Sequence, residues 1–127
     1  MTEDANKKLM ANFGKAWVKA DVEGILACVT DDFEWRQATG SDGPSGRIIQ
    51  GKDQLRAALA ERDKSFADLS YSENKVEVFG DRIVQTFRIS GKTPDGRAAD
   101  WRGCDLYHVR DGKLAYKDSY WKQISRN

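Results

Sequence analysis

The chain is 127 residues long, a length suited to one domain with a single core that buries roughly two-thirds of the unfolded surface. Its 21 lysines and arginines and 20 aspartates and glutamates are interspersed, which excludes the basic stripe of a nucleic-acid binder and any acidic tail. No stretch approaches the ~18 consecutive apolar residues of a membrane span, and the start MTEDANKKLMANFGKAW lacks the apolar run of a leader, so a cytoplasmic protein with neither nucleic acid nor membrane as partner is expected.

Residues 3 to 20 set Leu9, Met10, Phe13, Trp17 and Ala20 at three- and four-residue spacing, the stripe of an amphipathic helix. Asp21 follows as the cap of a second, short helix bearing Val22, Ile25, Leu26 and Val29. Phe33, Glu34, Trp35 and Arg36 then alternate as a short strand with both aromatics on one side. The glycine-rich segment 38 to 51 reads as a loop and a candidate lid, and Leu55, Ala58, Leu59 and Phe66 mark a third helix. From about residue 68 the period becomes two. Strands run through KVEVF, RIVQTFRIS, RAADWRGCDLYHV and KLAYKDSYWKQI, separated by turns at Gly80-Asp81, GKTPDG and Asp111-Gly112. Helices first and an antiparallel meander afterwards predict an α+β domain, three helices packed on one face of a curved sheet, spanning residues 1 to 127 without a linker.

Cys28 and Cys104 lack CxxC spacing and His108 is the only histidine, so no metal site is expected and both thiols are read as reduced and buried. GRIIQGKD has the glycine and lysine spacing of a phosphate-binding loop, but Asp53 stands where the magnesium-binding hydroxyl belongs. Nucleotide binding is therefore not expected.

The last hairpin, DLYHVRDGKLAYKDSYW, carries an aspartate on each strand. With a two-residue Asp111-Gly112 loop, Tyr107 faces Tyr116 and Asp105 faces Asp118; two carboxylates sharing one apolar site cannot both ionise comfortably, which makes one a proton donor. A loop with a bulge instead sets Asp105 against Lys117 and sends Asp118 to the other face, where an ion pair is worth little. The pattern leaves both registers open. His108 alternates with Asp105 and Tyr107, so it belongs to the opposite face, as an interface or structural residue more than a general base.

The stretches AWVKADVEGILACVTDDFEW, GKDQLRAAL and VRDGKLAYKDSYW, in this order, resemble the nuclear transport factor 2-like superfamily and, within it, the SnoaL-like and ketosteroid-isomerase-like proteins. The resemblance covers nearly the whole chain. It implies a cystatin-like cone with an apolar pocket at its open end, and commonly a homodimer packed through the outer face of the sheet. Relatives include isomerases, cyclases, epoxide hydrolases and non-catalytic domains, so the fold alone does not choose an activity.

The resemblance also suggests roles. Asp105 matches the protonated aspartate of the ketosteroid isomerase oxyanion hole. Asp118 resembles the catalytic aspartate of limonene epoxide hydrolases, with Arg88 as the matching arginine. Departures are evident too: the isomerase base would fall at Gln37 and its phenolic donor at Phe13, and the hydrolase's second aspartate at Ser90. Expected catalytic residues are thus Asp118, Asp105 and Arg88, with Trp35, Gln37, Phe13, Trp17, Tyr107, Tyr116 and Tyr120 around the ligand. Trp17 is also read as core, Trp35 as pocket mouth or core, and Trp101 and Trp121 as rim or dimer contacts. The expected activity is cofactor-independent acid/base chemistry on a small, apolar, oxygenated molecule; the alternative is a binding or association domain without chemistry.

Overall fold

The computed structural model describes residues 3–41, 43–65 and 68–123. Helix α1 (Glu3–Val18) is followed by α2 (Val22–Ala27), strand β1 (Val29–Arg36), strand β2 (Ile48–Gln50) and helix α3 (Gly51–Ser65). Four long strands complete the chain: β3 (Leu69–Phe79), β4 (Arg82–Lys92), β5 (Ala98–Arg110) and β6 (Lys113–Lys122). The six strands form one sheet in the order β2-β1-β6-β5-β4-β3, antiparallel throughout except where β1 runs parallel to β6.

Local chemistry accounts for the helices. Glu3 and Asp4 in the first turn of α1 and Lys15 in its last complement the helix dipole. Ala20 takes a left-handed φ of 56° that ends the helix, and the carboxylate of Asp21 then accepts the Gly24 N–H at 3.0 Å, capping α2 as expected. The stripe of α1 buries Met10, Phe13, Ala16 and Trp17, while α3 buries Leu55, Ala58 and Leu59. Both stripes face the sheet, α1 against β3 and α3 against β1 and β2, where Phe33, Ile49, Ile83 and Leu114 complete the core. Phe66, expected on the third stripe, lies outside the described residues.

Three irregularities bend the sheet. Pairing shifts between Ser72 and Lys75 in β3, where Glu73 has φ 52°; between Val29 and Glu34 in β1; and between Val109 and His108 opposite β6. Extra residues on one strand increase its local twist, which lets the sheet curl around α1.

Segment 38 to 51 differs from its expectation as an open loop. Gln37 N–H donates to Arg47 O and Arg47 N–H to Thr39 O, each at 2.9 Å, and Ile48–Gln50 pairs with β1. The apolar pair Ile48-Ile49 made this possible, because Ile49 fits the covered face beside Trp35. No helix among the described residues is long and apolar enough to cross a membrane.

Candidate functional site

The site begins with the β5–β6 turn. Asp111 and Gly112 have φ values of 54° and 77°, the left-handed pair of a two-residue hairpin turn. Arg110 then faces Lys113 and Val109 faces Leu114, but His108 faces Tyr116, leaving Ala115 bulged out of the ladder. Beyond that residue Tyr107 faces Lys117, Leu106 faces Asp118, and Asp105 faces Ser119. Asp105 and Asp118 therefore do not oppose each other. Of the two registers left open by the sequence, the face assignment of the bulged one is realised, although the turn itself keeps two residues.

What the bulge brings together is Asp105 and Lys117, and they meet in the interior. The Lys117 ammonium donates to Asp105 Oδ2 at 2.8 Å, and each side chain is 3% exposed. Trp121 Nε1–H donates to Asp105 Oδ1 at 3.1 Å, and Lys117 also donates to Ser119 Oγ at 3.2 Å. The ammonium lies 4.7 Å from the ring centroid of Trp17 and 5.5 Å from that of Trp35. The expectation of a weak surface pair on this register is corrected: removing both charges from water costs several kcal/mol each, which their attraction and these further contacts must offset.

Both charged residues line a cavity of about 650 Å³ between α1 and the concave face of the sheet. Its walls are mostly apolar, from Met10, Phe13 and Trp17 on α1 and Val76, Phe87 and Tyr107 on the sheet. Tyr107 donates its hydroxyl to Gln85 Oε1 at 3.0 Å, and Gln85 donates to Asn74 Oδ1 at 2.7 Å. Burial first, and the nearby Asp105 carboxylate second, hold the Tyr107 hydroxyl well above the usual phenol range, so it stays protonated.

The remaining expected site residues lie elsewhere. Asp118 is on the opposite face, where Arg36 reaches it at 3.5 Å and the Tyr120 hydroxyl donates to it at 3.1 Å. It borders a groove of about 430 Å³ with Gln37, Cys104 and Tyr120, the last 59% exposed. Tyr116 stacks on His108, 5.8 Å between centroids, also on this face. Arg88 is half-buried and bidentate to Asp100 at 2.7 and 2.8 Å, and it does not line the cavity, because Phe87 and Ile89 take the inward positions on either side of it. Among the expected residues, then, Asp105, Phe13, Trp17 and Tyr107 line the main cavity. Trp35 stacks edge-on against Trp17 at 5.1 Å, and with Gln37 borders a smaller chamber. Cys28 is buried as expected, whereas Cys104 is only half-buried, since it sits on the outer face one residue from Asp105; burial raises both thiols above their usual range.

Lys117, Gln85 and Tyr71 line the cavity without having been chosen as site residues from the sequence, and Trp121, read there as a rim or dimer contact, lines it too. Lysine rarely lies inside a protein, which argues against choosing it. A signal was present in the register that pairs it with Asp105, but nothing local distinguished a bulge at Ala115 from an unbroken ladder.

The profile of the SnoaL-like domain family matches residues 10–117. Among solved structures, the fold is similar to that of an NTF2-like protein from Burkholderia xenovorans, 20% identical with TM-score 0.79 over 96% of this chain and 92% of the other. It is also similar to TerC, crystallised with polyporic acid, at 20% identity and TM-score 0.77 over 93% and 92% of the two chains. A candidate polyketide cyclase from Xanthomonas campestris matches at 17% identity and TM-score 0.77 over 94% and 91%. At these identities the likeness concerns the fold. No curated protein matches the chain by sequence.

Proposed function

Because the chain belongs to the SnoaL-like domain family, within the nuclear transport factor 2-like superfamily, we propose that it is a small-molecule pocket protein performing cofactor-independent acid/base chemistry on an apolar, oxygenated metabolite. One observation carries this reading: a buried aspartate–lysine pair on the wall of a mostly apolar cavity. Such a pair places a base and an acid at one point, shielded from water.

For a carbonyl ligand, the Asp105 carboxylate takes a proton from the carbon next to the carbonyl, and the electron pair of that C–H bond moves onto oxygen. A Lys117 N–H stabilises the resulting enolate, with the protonated Tyr107 hydroxyl as a second donor. Return of the proton from Asp105 to another carbon of the enolate system completes an isomerisation. Phe13, Met10 and Phe87 keep the reacting atoms from solvent. The roles expected of Asp118 and Arg88 pass in this reading to Asp105 and Lys117.

A second reading has its own support. Both Asp105 oxygens and the Lys117 ammonium already have protein partners, and Gln37, Phe13 and Ser90 replace residues on which related enzymes depend. A binding domain without chemistry accommodates these facts. In either reading the protein works in the cytoplasm as a homodimer joined through the outer sheet face; free Cys28 and Cys104 suit a reducing compartment, and exposed Tyr120 suits a contact.

Deuterium exchange into 2-tetralone, followed by proton NMR, separates the two readings. The acid/base reading expects exchange above the buffer rate, reduced by roughly 10² or more in Asp105→Asn. Saturable tetralone binding without accelerated exchange would instead establish the binding domain.

A further inference from the structure

We infer that the ligand of the main cavity is an amphipathic carboxylate, whose apolar body fills the interior while its single negative charge stays at the mouth. The inference rests on the reading of that cavity as a small-molecule pocket, with or without chemistry, and adds the class of molecule it takes.

The starting point is where α1 carries its charges. Met10, Phe13 and Trp17 form the buried wall, and the adjoining flank of the helix, Lys7, Ala11, Gly14 and Val18 at four- and three-residue spacing, borders the same cavity. Lys7, Lys15 and Lys19 line the cavity and are exposed, which puts them at its opening. The opening is roomy beside them, since a Cβ on Gly14 would meet nothing within 4 Å.

Among the described residues the lining holds four lysines and one acid, and that acid, Asp105, is taken up by Lys117 in the interior. Lys7 is 3.4 Å from Glu3, whereas Lys15 and Lys19 make no ion pair among the described residues. The Lys19 N–H donates to Lys15 O at 3.2 Å, so these two follow one another by a helical turn, a spacing at which like charges repel. The helix dipole favours cations near this end but does not select the flank beside the cavity. A negative charge held between them relieves the repulsion.

Neighbouring elements keep their own acids occupied. Across the mouth on β3, Glu73 is drawn to Arg88 and Arg102, each at 3.4 Å, and Glu77 to Lys75 at 3.5 Å. On α2, Asp21 caps its own helix and Glu23 pairs with Arg56 at 2.7 Å. Asn74 of β3 lines the cavity, accepts from Gln85 through Oδ1, and so presents its amide N–H group as a further donor. Phosphate sites draw on arginine forks and helix N-termini; no arginine is among the described lining residues, and the dipole at the C-terminal end of α1 opposes a dianion. Two free ammonium groups suit one carboxylate. The apolar interior, with a volume of about 650 Å³ inside the ~300–1,000 Å³ range of pockets for drug-sized molecules, suits a fused-ring body.

2-Naphthoate is the probe and neutral 2-naphthamide, of nearly the same shape, its control, both titrated into the full chain by calorimetry at about pH 7, where the carboxyl is ionised. Exposed charge contacts strengthen binding only a few-fold each, so naphthoate is expected to bind about tenfold more tightly than the amide at low salt. That preference should shrink to under about threefold in ~0.5 M sodium chloride. It should shrink equally when Lys15→Gln and Lys19→Gln are combined, at two exposed positions whose change leaves the core intact. Gly14→Leu, which puts a side chain into the opening and favours the helix, should weaken both probes, with circular dichroism to check the fold. Equal affinity for the two probes, a preference that survives the double substitution, or naphthoate binding untouched by Gly14→Leu overturns the inference while leaving the pocket reading in place. Failure of naphthoate, naphthamide and 2-tetralone alike to bind removes the pocket reading, and the inference with it.

Discussion

Lys117 Nζ and Asp105 Oδ2 are 2.8 Å apart although the two residues are diagonal rather than opposite in the β5–β6 ladder, where Lys117 faces Tyr107 and Asp105 faces Ser119. Diagonal neighbours on one sheet face lie within reach of long side chains, and lysine spans the gap. The four residues form a small polar island. Around it stand Trp17, Trp35 and Trp121, which supply ring faces to the ammonium and an N–H to the carboxylate.

Breaking this pair from one side is expected to be severe. Lys117→Met or Asp105→Leu each leaves a buried charge without its partner, at a cost of ~3–5 kcal/mol in urea unfolding. The double substitution should cost much less than the two singles added together. Additive losses would show that the two charges are not coupled.

Gly103 is held by its neighbours' rings. A Cβ there would stand 2.3 Å from Phe87 Cζ and 2.9 Å from Trp121 Cδ1, and those two rings meet edge to face at 6.0 Å. Gly103→Ala should therefore push both rings aside, lowering stability by ~1–3 kcal/mol and altering the cavity wall. Equilibrium unfolding and the Trp121 indole signal read the two effects.

The Tyr107 phenol predicts an alkaline limit. Its folded-state pKa lies above the ordinary 10.0 of the unfolded chain, chiefly through burial. Below about pH 10 both states hold the proton; above it the unfolded chain releases a proton that the folded chain keeps, so stability falls as pH rises towards the folded value. Ultraviolet titration should show fewer than four tyrosinates until the protein unfolds, and Tyr107→Phe should remove part of the alkaline loss.

Asp118→Asn offers a contrast. Its carboxylate is paired with Arg36 and Tyr120 on the opposite face, outside the main cavity. The substitution should change stability by no more than ~1 kcal/mol and leave tetralone exchange at the wild-type rate. Loss of exchange in this variant would place the chemistry in the outer groove.

Much of the architecture was legible because its signals are local. Asp21 caps where a short acidic side chain before a helical stripe should cap, and Asp111-Gly112 turns where left-handed φ values are tolerated. The parallel contact between β1 and β6 was not legible: it joins residues more than eighty positions apart, such as Arg36 and Asp118, and nothing in either strand encodes its partner's direction. At the site, Asp105 and Tyr107 were legible from alternation, while Lys117 was hidden by the bulge at Ala115. Arg88 lies outside the cavity lining for a related reason, since strand parity gave its neighbours Phe87 and Ile89 the interior.

The bulge at Ala115 also limits how functional residues can be carried between relatives. Downstream of it, the words Lys-Asp-Ser-Tyr present lysine and serine to the interior; the same words in an unbroken ladder would present aspartate and tyrosine. Two chains could share this motif letter for letter and still display opposite chemistry. Insertions and deletions near the turn would then change function as effectively as substitutions in the pocket, and inheritance of a site should be judged by strand parity before residue identity.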